Sequence, residues 1–365
     1  MSDRTAPFAP PFCPRTDCRY HRWPTGWRWV RHGVYRRQAS PTVIPRFRCR
    51  HCRITFSAQT FATTYWLRRP ELLPAVFHRL LACSGYRQMA REAGCHPTTV
   101  MGLAARLGRH ALLYLHQQRP PGPVTEPLVI DGFESFEFSQ YYPLHVNLAV
   151  GAHSHYVYAF SESELRRKGR MTPRQWRRRA VLEARHGRAD PRAIERGVAT
   201  LVRLAAPTAQ PLVIRSDEHD AYPRALRRLE GYAIRHERTS SRRRRTPGNP
   251  LFAVNLLDLL LRHNSANHKR ETIAFSKRRQ SVLERVAVLA LWRNFVKPFS
   301  ERRGGGTPAM RLGHRPRPVS VTELLARRLF PSRVGLAPEW MRYYRRQVQT
   351  RAIPHPRQHH LRLAF

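Results

Sequence analysis

The chain has 365 residues, and its 66 Lys and Arg against 24 Asp and Glu give a formal net charge of +42. A hydrophobic fraction of 41% with 10% aromatics is enough to bury cores, which excludes wholesale disorder, and the length fits two or three domains. The charge requires a polyanionic partner, and because it is spread along the whole chain, nucleic acid takes precedence over a membrane surface.

The longest apolar run, Val286 to Trp292, is far shorter than the roughly 20 residues of a membrane span. Met1-Ser-Asp-Arg-Thr-Ala-Pro7 lacks an apolar run with a small-residue cleavage site, so a reducing cytosol is the expected compartment. Lysine occurs only at 168, 269, 277 and 297, a bias that fits GC-rich codon usage better than a chemical need.

Residues 1–65 hold two cysteine pairs, Cys13-x4-Cys18 and Cys49-x2-Cys52. Four thiolates offer Zn2+ the tetrahedral soft set it favours, and two knuckles flanking a hairpin predict a zinc ribbon in which the metal is structural. The x4 knuckle and the long intervening segment are irregular, and His21, His32 and His51 are possible substitutes for a cysteine. Trp23, Trp27, Trp29, Tyr35 and Val43-Ile-Pro-Arg-Phe-Arg suit short strands beneath the metal.

Residues 66–118 turn helical, with apolar positions at Leu72, Leu73, Val76, Phe77, Leu80 and Leu81. Ala90, Gly94 in a turn, Pro97 at a helix start and Val100 give the spacing of a helix-turn-helix. Thr98, Thr99 and Arg106 would then lie on or near its DNA-reading face.

Gln117-Gln-Arg-Pro-Pro-Gly-Pro123 marks a linker, and residues 124–300 read as a mixed α/β domain. Pro127-Leu-Val-Ile-Asp131 predicts a strand ending in an acid, Leu144–Val150 and Tyr156–Phe160 two antiparallel partners, 164–205 helices, and Pro211-Leu-Val-Ile-Arg-Ser-Asp217 a fourth strand ending in an acid. Three strands, a helical crossover and a fourth strand form the order of a ribonuclease-H-like sheet, in which the first and fourth strands lie side by side and parallel.

That adjacency would bring Asp131 and Asp217 within metal-sharing distance, as two-metal phosphodiester chemistry requires. A third acid is expected from Glu284, which shares a helical stripe with Val288, Leu291 and Phe295. Its rivals are Glu271, read as part of a phosphate-contacting loop, and Asp258, read as a salt-bridged helix residue. The runs Arg166-Arg-Lys, Arg177–Arg179 and Arg242-Arg243-Arg244-Arg245, with His268-Lys269-Arg270, are candidate phosphate contacts. Beyond Phe299, Gly304-Gly-Gly306, Pro316 and Pro318 read as linker and 301–365 as a basic C-terminal tail.

The ordered set of ribbon cysteines, helix-turn-helix, Ile-Asp131-Gly, Arg-Ser-Asp217-Glu-His-Asp-Ala-Tyr222, His268-Lys-Arg and Phe275-Ser-Lys-Arg leading to Glu284 and Asn294-Phe resembles the DDE transposases of bacterial insertion sequences that carry an N-terminal zinc ribbon. The resemblance covers about residues 13–300. It implies an RNase-H-like catalytic core, Mg2+ or Mn2+ bound by Asp131, Asp217 and Glu284, DNA as partner through terminal inverted repeats and target, and a homo-oligomer on DNA in a bacterial nucleoid. The alternatives are a DNA-binding regulator with an inert core and a nuclease of the same fold that cuts without joining.

Overall fold

The structure, a computed structural model, describes residues 8–353 apart from residue 303; the end of the predicted tail, 354–365, lies outside the described residues. After a one-turn helix α1 (Arg19–Arg22), strands β1 (Trp29–Arg36), β2 (Val43–Cys49) and β3 (Thr55–Ser57) form an antiparallel sheet beside the cysteines. Phe47, Phe56 and Phe61 pack under it, with Phe330 arriving from far along the chain. Few apolar residues face this small sheet, so rings stacked edge to face and the cysteine cluster make its core.

Helices α2 (Leu72–Leu80), α3 (Tyr86–Glu92) and α4 (Pro97–Gln117) follow. Gly94 takes φ +55° in the turn between α3 and α4, a conformation that costs glycine little. Pro97 opens α4, His96 Nδ1 accepts the Thr98 backbone N–H, and Ala90 and Val100 are buried where the two helices meet. From Leu103 onward α4 is buried nearly all round, because its second half lies against α9 (Arg279–Phe295). At the crossing, Gly108 lets the backbones touch: an added Cβ would sit 2.6 Å from Glu284 Cβ.

The central sheet has five strands in the order β6-β5-β4-β7-β8: β4 (Leu128–Phe136), β5 (Pro143–Gly151) and β6 (Val157–Glu164) are antiparallel, and β7 (Leu212–Ser216) and β8 (Ile234–Arg238) run parallel to β4. The predicted strand ending at Asp131 continues to Phe136, since Phe133 keeps the buried alternation going and β5 pairs it throughout. The crossover from β6 to β7 contains α5 (Pro173–His186) and α6 (Ala193–Ala205); α7 (Ala221–Leu226) joins β7 to β8, and α8 (Phe252–Asn264) follows. Helix α6 packs on β5 and β6, α8 on β4 and β5.

The stretch read as linker and tail is folded where the structure describes it. Helices α10 (Pro308–Arg311), α11 (Val321–Leu324), α12 (Pro331–Val334) and α13 (Pro338–Tyr344) contribute Ala309, Leu324, Trp340, Tyr343 and Tyr344 to the main core. Buried Arg279 bonds Glu137 at 2.6 Å and Glu162 at 2.9 Å; Arg342 also reaches Glu162 and Thr350 donates to Glu137, tying this segment to the sheet. Paired this way, the interior charges avoid the large desolvation cost of isolated ions. No helix among the described residues is long and apolar enough to cross a membrane.

Candidate functional site

Parallel pairing between β4 and β7 ends at Val129 and Arg215. Asp131 lies two residues further along β4, and Asp217 two residues beyond Arg215, just past the end of β7 at Ser216; the Asp217 charge acts on Asp131. This level is the carboxyl end of β7, the end of the parallel strands at which open α/β sheets place their ligands. The two strand-borne acids are thus brought together.

Asp131 Oδ1 accepts the Gly132 N–H at 2.7 Å and the Tyr222 hydroxyl at 3.2 Å. Burial pushes its carboxyl up and the Asp217 charge adds to this, against those two donors and Arg245. Asp217 accepts the His219 N–H at 3.0 Å, closing the turn into α7 that delivers Tyr222. Opposite, His145 lies against Gly132, where an added Cβ would come within 2.6 Å of Nδ1; that nitrogen is buried without a hydrogen-bond partner, and burial lowers the ring to about 4, so it is neutral.

Glu284 is elsewhere. It is 2% exposed on α9, paired with Arg346 at 3.0 Å, beside Arg109 and bonded by Gln280. Burial raises its carboxyl and the two arginines oppose that. The inward orientation expected from its stripe is present, but inward here means the seam between α4, α9 and the C-terminal segment. Nearly every residue of α9 is buried, so the stripe could not say which neighbour the side chain meets.

Asp258, read from the sequence as a salt-bridged helix residue, is the acid on a helix that lies near Asp131. Helix α8 lies on β4, and Asp258 Oδ1 is buried with no hydrogen-bond partner and no salt bridge among the described residues, against the expectation of an ion pair. Burial and the Asp131 charge push its carboxyl up to about 8, with Arg262 and Arg245 opposing. A carboxylate left unpaired beside a second carboxylate is the donor set a hard divalent cation satisfies. The three acids do not close as tightly as the cysteines, which are the group that the described residues bring within 4.8 Å.

The expected DNA-contacting residues divide. Thr98 and Thr99 are exposed at the start of α4, as are Arg242, Arg243, Arg244 and Arg245 in the loop after β8, and Lys269 and Arg270. Arg106 is buried and donates to the Thr63 and Tyr65 carbonyls, each at 2.8 Å, so it holds the ribbon's exit against α4 and does not face a groove. His268 is also buried, edge-on to Phe133 at 5.2 Å between ring centroids, and burial lowers it to about 3. Arg106 was expected at the surface from its place in the helix-turn-helix spacing, and His268 from the polar residues that follow it; long-range packing buries both.

In the ribbon, Cys13, Cys18, Cys49 and Cys52 converge, with Cys13 and Cys52 sulfurs 3.5 Å apart. Burial raises the Cys49 thiol, but the Trp27 indole N–H, donating to Cys49 Sγ at 3.2 Å, and backbone groups of the knuckle outweigh it and bring it to about 7. Four clustered sulfurs, one stabilised as thiolate, could hold zinc in a closed tetrahedral set. Of the three histidines, His21 bonds the Cys13 carbonyl and Ser332, His32 is exposed, and His51 stands beside the cluster with Nδ1 3.7 Å from Cys18 Sγ.

No protein-family model and no curated protein matches the chain. A chain of a solved structure described as a cryoEM structure of the simian T-cell lymphotropic virus intasome in complex with PP2A regulatory subunit B56 gamma is similar over 68% of this chain and 75% of its own, at 18% identity and a TM-score of 0.25. A likeness so slight assigns neither fold nor activity.

Proposed function

We propose that the chain is a metal-dependent transposase that cleaves DNA at the ends of an insertion sequence and joins the freed strand to a target. The proposed core is ribonuclease-H-like, on the basis of its strand order, three antiparallel strands followed by two parallel ones. The observation that carries the reading is the meeting of Asp131, Asp217 and the unpartnered Asp258 on three separate elements, in a chain of net charge +42.

Asp131, Asp217 and Asp258 would hold Mg2+ or Mn2+, which supplies Lewis-acid stabilisation to the attacking and leaving oxygens of a phosphodiester. Asp258 thereby replaces Glu284 as third acid. Tyr222 fixes one oxygen of Asp131 and favours its ionised form. Arg245 faces the acids and is placed to meet the phosphate flanking the scissile bond, while Arg242–Arg244, Lys269 and Arg270 extend that track. The exposed start of α4, with Thr98 and Thr99, is assigned to the element's inverted repeat. The zinc is assigned a structural role, and assembly as a homo-oligomer on the paired ends is part of the same reading.

The test is strand transfer in Mg2+ or Mn2+, with the DNA flanking the reading frame as donor and a supercoiled plasmid as target. Joined products from wild type, lost in Asp131→Asn and Asp258→Asn, support the reading. Cutting without joining would replace it by a nuclease, and DNA binding that neither substitution affects, without products, by a regulator.

A further inference from the structure

We infer that the cleft between the zinc ribbon and the C-terminal helices is a second DNA-binding surface, built for an unpaired strand. The inference rests on the proposed DNA-processing function but concerns residues far from its acids.

The cleft encloses about 1320 Å³ between β2, β3, the segment 65–68 and α12–α13. Arg15, Arg37, Arg46, Arg68, Arg328 and Arg345 line it and no Asp or Glu does. Arg15 is neutralised by Asp17, and Arg37 bonds the carbonyls of Ser40 and Pro41 and the Gln59 side chain. Arg46, Arg68 and Arg345 form no ion pair among the described residues. Three cations from three separate segments line one cleft with no carboxylate among its lining residues, a charge arrangement that favours a bound anion.

Trp66 supplies the second feature. It is 71% exposed at the rim, where a tryptophan normally hides its ring. Its backbone has φ +61°, and the Leu67 N–H bonds the Thr64 carbonyl at 3.0 Å around it. That left-handed position in a turn favours glycine, and a bulky residue there is strained, so nothing in the fold itself accounts for the choice of Trp. The Tyr65 ring stands nearly perpendicular to the indole at 5.9 Å between centroids, and most of the indole stays open to solvent. A row of arginines tracking phosphates beside an exposed indole face is the arrangement that binds single strands, since every base presents a π-face to stack. A blunt duplex hides those faces. The C-terminal segment thereby gains a role, because Arg345 and the Phe330–Ser332 wall of the cleft come from it.

The test uses the full-length chain, loaded with zinc, and fluorescence anisotropy of a short labelled single strand and of a blunt duplex across a salt series. Trp66→Ala and Trp66→Gly are expected to weaken the single strand roughly tenfold and the duplex little. Trp66→Gly should also raise the melting temperature, because it relieves the turn, which separates lost binding from lost folding. The triple variant Arg46→Ala, Arg68→Ala, Arg345→Ala should flatten the log K against log salt slope by about 2. Single-strand affinity unchanged in the Trp66 variants, or an unchanged salt slope, overturns the inference while leaving the catalytic reading to the strand-transfer assay. Wild type that binds neither DNA overturns both.

Discussion

Replacing Asp258 by Asn perturbs the site at its most unusual carboxylate. In the folded chain burial and the Asp131 charge push that carboxyl from 3.8 up to about 8. An acid with a folded pKa above its unfolded one costs stability as pH rises from the unfolded value, and the cost stops growing once pH passes the folded value. From 3.8 to 7, at about 1.36 kcal/mol per pH unit, the cost is about 4 kcal/mol, which solvent access to a partly exposed side chain reduces to ~2–4 kcal/mol. Without divalent cation, Asp258→Asn is therefore expected to exceed wild type in stability by that amount at pH 7 and to match it near about pH 4. Mg2+ binds the ionised site, so it should stabilise wild type and leave the variant nearly unmoved. Urea denaturation at several pH values, with and without Mg2+, reads both effects. A variant less stable than wild type at pH 7, or one that Mg2+ stabilises equally, would refute the placement of Asp258 beside Asp131 in a metal site.

Glu284→Gln should lower stability by about 3 kcal/mol in the same denaturation series, because it leaves Arg346 and Arg109 without their buried counter-charge, yet cleavage per folded molecule should persist. Gly108→Ala improves helix propensity but drives a Cβ to 2.6 Å from Glu284 Cβ, so a net loss of about 1–3 kcal/mol is expected in thermal melts; a gain would show that the α4–α9 crossing is looser than described. Tyr222→Phe removes a donor that holds the Asp131 carboxyl down, so the acid limb of the cleavage–pH profile should move to higher pH; a limb that stays put or moves down would contradict that role. Cys49→Ser should abolish bound zinc by elemental analysis, and chelation of wild type should erase the near-ultraviolet signal of the ring cluster around Phe47 and Phe56.

Local signals in the sequence were strong where chemistry and spacing coincide. The four cysteines needed only their pairing, and the strand carrying Asp131 showed in Leu-Val-Ile flanked by breakers. The turn at Gly94 was equally readable, because a small residue, a glycine and an opening proline each have a steric reason to stand there. The parallel adjacency of β4 and β7, inferred from element order alone, is found in the pairing of Val129 with Arg215. What failed depended on distant partners. Strand β8, Ile234–Arg238, is a charged edge strand with no apolar alternation to announce it. Arg106 is a lone cation in an apolar stretch of α4 and His268 sits in a polar one, and only the carbonyls of Thr63 and Tyr65 and the ring of Phe133 explain their burial. Glu284 and Asp258 are both acids on apolar helices. Their separation depends on whether the inward face meets arginines or a carboxylate, which no periodicity encodes. The C-terminal segment looked like linker because its glycines and prolines separate helices of only one or two turns, and their core contacts are with β6, α4 and α9.

The most direct test of the central claim is metal-dependent cleavage and joining by four variants side by side: Asp131→Asn, Asp217→Asn, Asp258→Asn and Glu284→Gln, each normalised to folded protein. The account predicts that the first three lose both steps and the fourth keeps them. Activity surviving in Asp258→Asn, with loss in folded Glu284→Gln, would contradict it.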